Sequence, residues 1–186
     1  MDSTQVEERS VTTILGIQHH DGMVRLLGDS RTVAGDKPMR HVQQPKVMER
    51  DGQYLFGVAG SGAACDLFLW TWQPPFYAHG CSEYEHMVRH FVPSLRAALD
   101  ETCPAKEGEY DFQALVSLVG TLFLIENDLT VLLDERNVMG IGTGGSLAVA
   151  AYLAGANPYR AMDIAISLDV NSGGPVSELI QGEYHD

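Results

Sequence analysis

Asp-Gly occurs twice in the first third of this chain, at Asp21-Gly22 and Asp51-Gly52, each time between two short apolar runs. The dipeptide supplies the positive-φ positions that a tight reversal needs, so the pattern specifies β-hairpins. Residues 12–18 and 23–28 form the first pair, joined by "HHDG", and "KVMER" with "YLFGVAG" forms the second. A polar, turn-rich stretch from Ser30 to Pro45 separates them. Four strands therefore precede any helix, and the order of the later segments decides what covers them.

The segment from Ser61 to about Trp72 reads as a helix ended by "QPP" at 73–75, because proline cannot continue one. Ser82 with Glu85 makes a capping box, and Tyr84, Met87, Val88, Phe91, Leu95, Ala98 and Leu99 follow at helical spacing. Pro93 falls inside that run, where it would cost about 3 kcal/mol in an ideal helix interior, so a kink or break is expected there. "DFQALVSLVGTLFLIEND" and "TVLLDE" give two or three more strands, with Asn127 and Asp128 as turn residues. "SLAVAAYLAG" is a helix stopped by Gly155, and Asn157-Pro158 caps another that runs to about Asp169. "SGGPVSELIQG" offers a last strand. This is an α+β order in which helix pairs cover sheets.

The chain has 186 residues, of which 45% are hydrophobic, enough for one sizeable core and one domain. Its net charge of -13 opposes phosphate backbones and anionic lipid, so neither nucleic acid nor a membrane is an expected partner. The apolar run at 115–125 falls well short of the roughly 20 residues that span a bilayer. "MDSTQVEERS" lacks the basic start and apolar stretch of a secretory signal, and residues 1–11 read as a short leader or propeptide before a domain at 12–186. Cys65, Cys81 and Cys103 are odd in number and without CxxC spacing, which suggests neither a disulfide framework nor zinc and fits a reducing cytoplasm. His19 and His20, beside Asp21-Gly22, read as a solvated turn.

Two threonines, Thr12 and Thr13, open the first strand. A threonine hydroxyl is a weak nucleophile until a base takes its proton. When threonine is the first residue, its own α-amine, with an ordinary pKa of about 7.7–8.0, can be that base. Taken alone, the pair reads as an ordinary strand start. Six motifs in chain order change this: "TTILGI", "GDSRTVAG", "PKV", "FGVAGSG", "IGTGGSLAVAA" and "DVNSGGPV". Together they resemble the proteasome β-subunit and HslV family of N-terminal threonine peptidases, from Thr12 almost to the C-terminus.

The resemblance implies a four-layer αββα sandwich of the N-terminal nucleophile hydrolase type. It implies Thr12 as nucleophile after leader removal, and Lys46 as the ammonium beside it, paired with Asp29. Gly57 matches the glycine whose N–H faces the reacting carbonyl oxygen. Asp169 and Ser172 match the pair that holds the terminal amine, and Thr143 stands where the family usually has serine. No metal or organic cofactor is required. Peptide or protein substrates, a homo-oligomeric ring stack and an ATP-dependent unfoldase are implied as partners. Two departures stand out. Val11 precedes Thr12 where self-cleaving relatives have glycine, and "SRTV" replaces the common "SRAT". Rival readings are a catalytically silent ring subunit, favoured by Val11, and an amidohydrolase acting on a small-molecule amide.

Overall fold

The computed structural model describes residues 12–34, 37–39 and 45–182, with backbone alone at 32–34 and 37–39; the expected leader at 1–11 and the Val11–Thr12 bond lie outside the described residues. The first hairpin forms as the Asp-Gly pattern requires. Strands β1 (Ile14–Gln18) and β2 (Val24–Gly28) pair antiparallel, with Gly16 opposite Leu26. Two short strands follow, β3 (Thr32–Ala34) and β4 (Lys37–Met39), paired with one another. They fall in the stretch read from sequence as turns alone, where three-residue length and Pro38 hide any alternation. The second hairpin is β5 (Val47–Arg50) with β6 (Tyr54–Gly60). It continues through β7 (Phe112–Leu118), β8 (Thr121–Ile125) and β9 (Val131–Leu132) into one antiparallel sheet. The other sheet has the order β10-β1-β2-β11, where β10 is Val138–Ile141 and β11 is Ser177–Gln181.

Period-two alternation decides which sheet face meets which layer. Along β1, Ile14 points into the space between the sheets with Leu26, Val47, Leu55 and Leu115, whereas Leu15 and Ile17 point outward. The outward side is covered by α4 (Gly145–Leu153) and α5 (Pro158–Leu168), whose Ala148, Ala161, Met162 and Ala165 are buried against it. On β6, Tyr54, Phe56 and Val58 face the other way, under α1 (Gly62–Asp66), α2 (Glu83–His86) and α3 (Val92–Thr102). The result is helix, sheet, sheet, helix: a four-layer αββα sandwich.

Pro93 does not break its helical run, which continues from Glu83 to Thr102. A widened π-helical turn at Met87–Phe91 runs directly into α3, with the Val92 N–H donating to Met87 O, and Pro93 takes one of the first positions of α3. The widened turn moves preceding carbonyls away from the ring and accommodates the missing donor. A matching π turn, Leu67–Thr71, ends the first helical stretch before the proline pair. Half of the capping box forms: Ser82 Oγ accepts from the Glu85 N–H at 3.2 Å, while the Glu85 carboxylate pairs with Arg89. The long apolar run at 112–125 reverses at Val119-Gly120, both at positive φ, and Asn127-Asp128 turns β8 into β9. Strand β10 was not expected, because four residues containing a glycine carry no readable alternation. Its pairing with β1 creates it.

Candidate active site

Both sheets end at the same edge of the sandwich. Five segments meet there: the residues before β1, the turn after β2, the start of β5, the loop after β10 and the C-terminus of α5. Asp29 is fully buried and saturated. Its Oδ1 accepts from Lys46 Nζ at 2.7 Å and from the Thr13 N–H at 2.9 Å; its Oδ2 accepts from the Gly173 N–H at 3.0 Å and the Arg31 N–H at 3.1 Å. A buried carboxylate is tolerated only with such partners. Lys46 is itself mostly buried, and burial pulls its ammonium below the ordinary value of 10.5, with the Asp29 carboxylate opposing that shift.

A second chain of hydrogen bonds approaches from the α4–α5 side. Ser172 Oγ donates to Asp169 Oδ2 at 2.6 Å, which leaves its lone pairs for the Thr13 hydroxyl, also at 2.6 Å. A carboxylate only accepts, so the direction of donation runs from Thr13 through Ser172 to Asp169. Thr143 Oγ1 donates to the same carboxylate oxygen at 2.6 Å, so threonine keeps the hydroxyl bond expected of serine there. Burial pushes the Asp169 carboxyl up, but these two hydroxyls, the Asn171 N–H and the Arg31 charge outweigh it and hold the group below its ordinary range.

Thr12 is buried, with its carbonyl pressed against the loop after β10. A Cβ on Gly142 would lie 2.1 Å from Thr12 O, and Gly142 adopts φ of +77°, so only glycine fits at that turn. Extending the alternation of β1 backwards puts Thr12 on the face of Ile14, the Val47 and Lys46 side, and Thr13 on the face of Leu15, where Ser172 meets it.

The structure thus brings Thr12, Asp29, Lys46, Thr143, Asp169 and Ser172 to one edge. It does not bring Gly57 there. Gly57 is in the middle of β6, opposite Leu115 and Val47, and a Cβ on it would come within 2.8 Å of Ile14 Cγ2. The absent side chain lets the two sheets approach. Three residues farther, Gly60 ends the strand at φ of +147°. The Val58 N–H points toward β5, donating to Lys46 O, and by strand alternation the Gly60 N–H points the same way, toward the Lys46 end.

Sequence reading had cast Thr13 as a strand residue and gave Arg31 and Gly60 no role. The doubled threonine was the signal for Thr13, since neighbouring residues on a strand necessarily serve opposite faces. Cys65 lies near Lys46, and burial pushes its thiol up to about 11, so it is protonated at neutral pH. Among the described residues, no group of three or more His, Cys, Asp or Glu side chains is placed to hold a metal ion, and no helix is long and apolar enough to cross a membrane.

No family model matches the chain. Curated relatives do. The ATP-dependent protease subunit HslV of Treponema denticola is 27% identical over 150 residues, spanning 77% of this chain and 76% of that protein. The same subunit of Pediococcus pentosaceus is 25% identical over 146 residues, 75% and 72% of the two chains. Among solved structures, Thiobacillus denitrificans BPH in complex with epoxomicin superposes with a TM-score of 0.72 at 19% identity, over 91% of this chain and 98% of that one. Eukaryotic HslV from Trypanosoma brucei gives 0.63 at 25% identity, over 92% and 100%. Sequence relatives and fold agree in supporting the proteasome β-subunit and HslV family as the one this chain resembles.

Proposed function

We propose that the chain is a threonine-type endopeptidase subunit of a self-compartmentalising protease, working on unfolded polypeptides after the bond between Val11 and Thr12 is cut. The observation that carries this reading is the meeting of two polar chains, Lys46–Asp29 and Thr13–Ser172–Asp169–Thr143, at the start of β1. Cleavage frees the Thr12 α-amine at that point. The amine takes the hydroxyl proton as Thr12 Oγ attacks the substrate carbonyl, and returns it to the leaving amine. Water then releases the acyl-enzyme by the same route.

Each neighbour has a separate task. The buried Lys46 ammonium stabilises negative charge developing on the attacking oxygen, in a setting that screens it little. Asp29 offsets the cost of burying that ammonium. Asp169, Ser172 and Thr143 hold the amine as it gains and loses its proton. The oxyanion falls to the Gly60 N–H rather than to Gly57, whose place within the sandwich gives it a packing task. The substrate adds as an extended strand along the edge beside Arg31 and Thr32. This chemistry calls for no metal or organic cofactor. A ring stack and an ATP-dependent unfoldase complete the proposal, in the cytoplasm, where the cysteines stay reduced.

Hydrolysis of a fluorogenic peptide by the assembled protein tests it. Thr12→Ala is expected to abolish turnover and leave the oligomer intact. Retained activity would move the nucleophile elsewhere.

A further inference from the structure

The turn after α5 carries Asp169 and Ser172, yet little apolar packing holds it. Leu168 and Val170 on either side of Asp169 are 65% and 85% exposed. Within the turn, the Asn171 N–H donates to Asp169 Oδ1 and the Ser172 N–H to Asp169 O. These bonds set its shape but do not attach it to the sheets. The Thr13–Ser172 and Thr143–Asp169 hydroxyl bonds tie its side chains to the sheets, and its backbone is attached by the turn after β2. The Ser30 N–H donates to Gly173 O at 2.9 Å, and Asp29 accepts the Gly173 N–H. Arg31 adds the outermost contact: Nη1 donates to Val170 O at 2.8 Å, while Nε, Cζ and Nη2 lie over Gly173. A Cβ on Gly173 would come within 2.6 Å of Nε, so the glycine leaves room for the guanidinium.

We propose that Arg31 is a positioning residue, whose guanidinium clamps the 169–173 turn onto the turn after β2 and thereby fixes Asp169 and Ser172 at the start of β1. The inference rests on the peptidase reading above for its effect on turnover, though not for the clamp itself. A planar fork suits both tasks at once, lying flat on the backbone of Gly173 while one nitrogen reaches a carbonyl three residues away. A lysine ammonium is a point charge and can do only one of them. The same guanidinium places positive charge near Asp169, which favours the ionised carboxylate. Because Arg31 follows Asp29 by two residues, one short turn governs both polar chains of the site.

The test uses Arg31→Met, Arg31→Lys and Gly173→Ala, with two readouts on the full-length assembled protein. The first is amide hydrogen exchange of the peptide covering 169–174. Arg31→Met is expected to speed exchange at Ser172 and Gly173 by about tenfold, the scale of one lost charge-assisted hydrogen bond, with the β1, β2 and β6 peptides unchanged. The second is turnover of a fluorogenic peptide, where kcat falls by about tenfold and KM stays within about twofold. Arg31→Lys restores only part of each. Gly173→Ala keeps the charge but lifts it off the backbone, and shifts both readouts in the same direction by a smaller factor. Unchanged exchange at 169–174 in Arg31→Met overturns the proposal, as does uniform loosening of all strands. So does local loosening with kcat unaltered, or full rescue by lysine. A wild-type protein without peptidase activity overturns the peptidase reading instead, and the exchange readout still decides the clamp.

Discussion

Asp29→Asn is the substitution whose consequence the structure fixes most tightly. Asp29 accepts four hydrogen bonds, from Lys46 Nζ and the Thr13, Arg31 and Gly173 amides. An asparagine amide keeps one acceptor oxygen, and its NH2 group must face a pair of donors. Lys46 loses the carboxylate that offsets its burial, and breaking one side of a buried pair costs about 3–5 kcal/mol. That is a large share of the roughly 5–15 kcal/mol that holds a domain folded. The loss depends on pH, and its sign follows from Lys46. Burial already sets the folded pKa of Lys46 below the 10.5 of the unfolded chain, and removing Asp29 lowers it further. The unfolded state then binds a proton that the folded state does not, so stability rises with pH across the gap. The deficit of Asp29→Asn is therefore greatest near neutral pH and shrinks as pH rises through the unfolded value of 10.5, above which both states carry a neutral lysine.

Urea unfolding followed by circular dichroism, at fixed protein concentration and several pH values, measures this directly. Asp29→Asn with Lys46→Met removes both charges and should recover much of the lost stability at neutral pH while leaving the enzyme inactive. A deficit constant from neutral to alkaline pH, with no recovery in the double variant, would refute the buried ion pair as its source.

Gly57→Ala drives a methyl into Ile14 and is expected to cost about 1–3 kcal/mol by overpacking, read as a lowered urea midpoint, with turnover per folded subunit largely kept. Gly60→Ala places a Cβ 2.3 Å from the Asp111 carbonyl at a positive φ, so it should lose both activity and soluble expression, measured by peptide hydrolysis and yield. Thr143→Val keeps the shape and removes one donor to Asp169. The carboxyl then rises toward its ordinary range. Because a depressed carboxylate contributes stability that disappears as pH falls through its folded pKa, acid unfolding of this variant begins at a higher pH, whereas Thr143→Ser behaves like the parent.

Local chemistry made most of the fold legible. Both Asp-Gly hairpins, the Ser82 and Asn157 caps and the stops at Gly155 and "QPP" act over a few residues, and each is read from its own segment. What stayed hidden depends on distant partners. Strand β10 exists because β1 lies beside it, β3 and β4 are too short to show a period, and Pro93 is accommodated by a π turn that no propensity encodes. The site divided along the same line. Motif order led to Thr12, Asp29, Lys46, Thr143, Asp169 and Ser172, all at one edge. Gly57 and Gly60 are both glycines in one strand motif, and only three-dimensional alternation tells the one inside the sandwich from the one at its end. Thr13 and Arg31 were overlooked because their partners, Ser172 and Gly173, lie more than a hundred residues away.

The decisive measurement is the intact mass of the assembled protein, followed by peptide mapping of the adduct left by an electrophilic peptide probe that acylates a nucleophilic hydroxyl. A chain beginning at Thr12, with the adduct on Thr12, is the expected result. A chain that retains residues 1–11 under every assembly condition, or an adduct on Thr13, would contradict the assignment of Thr12 as an N-terminal nucleophile.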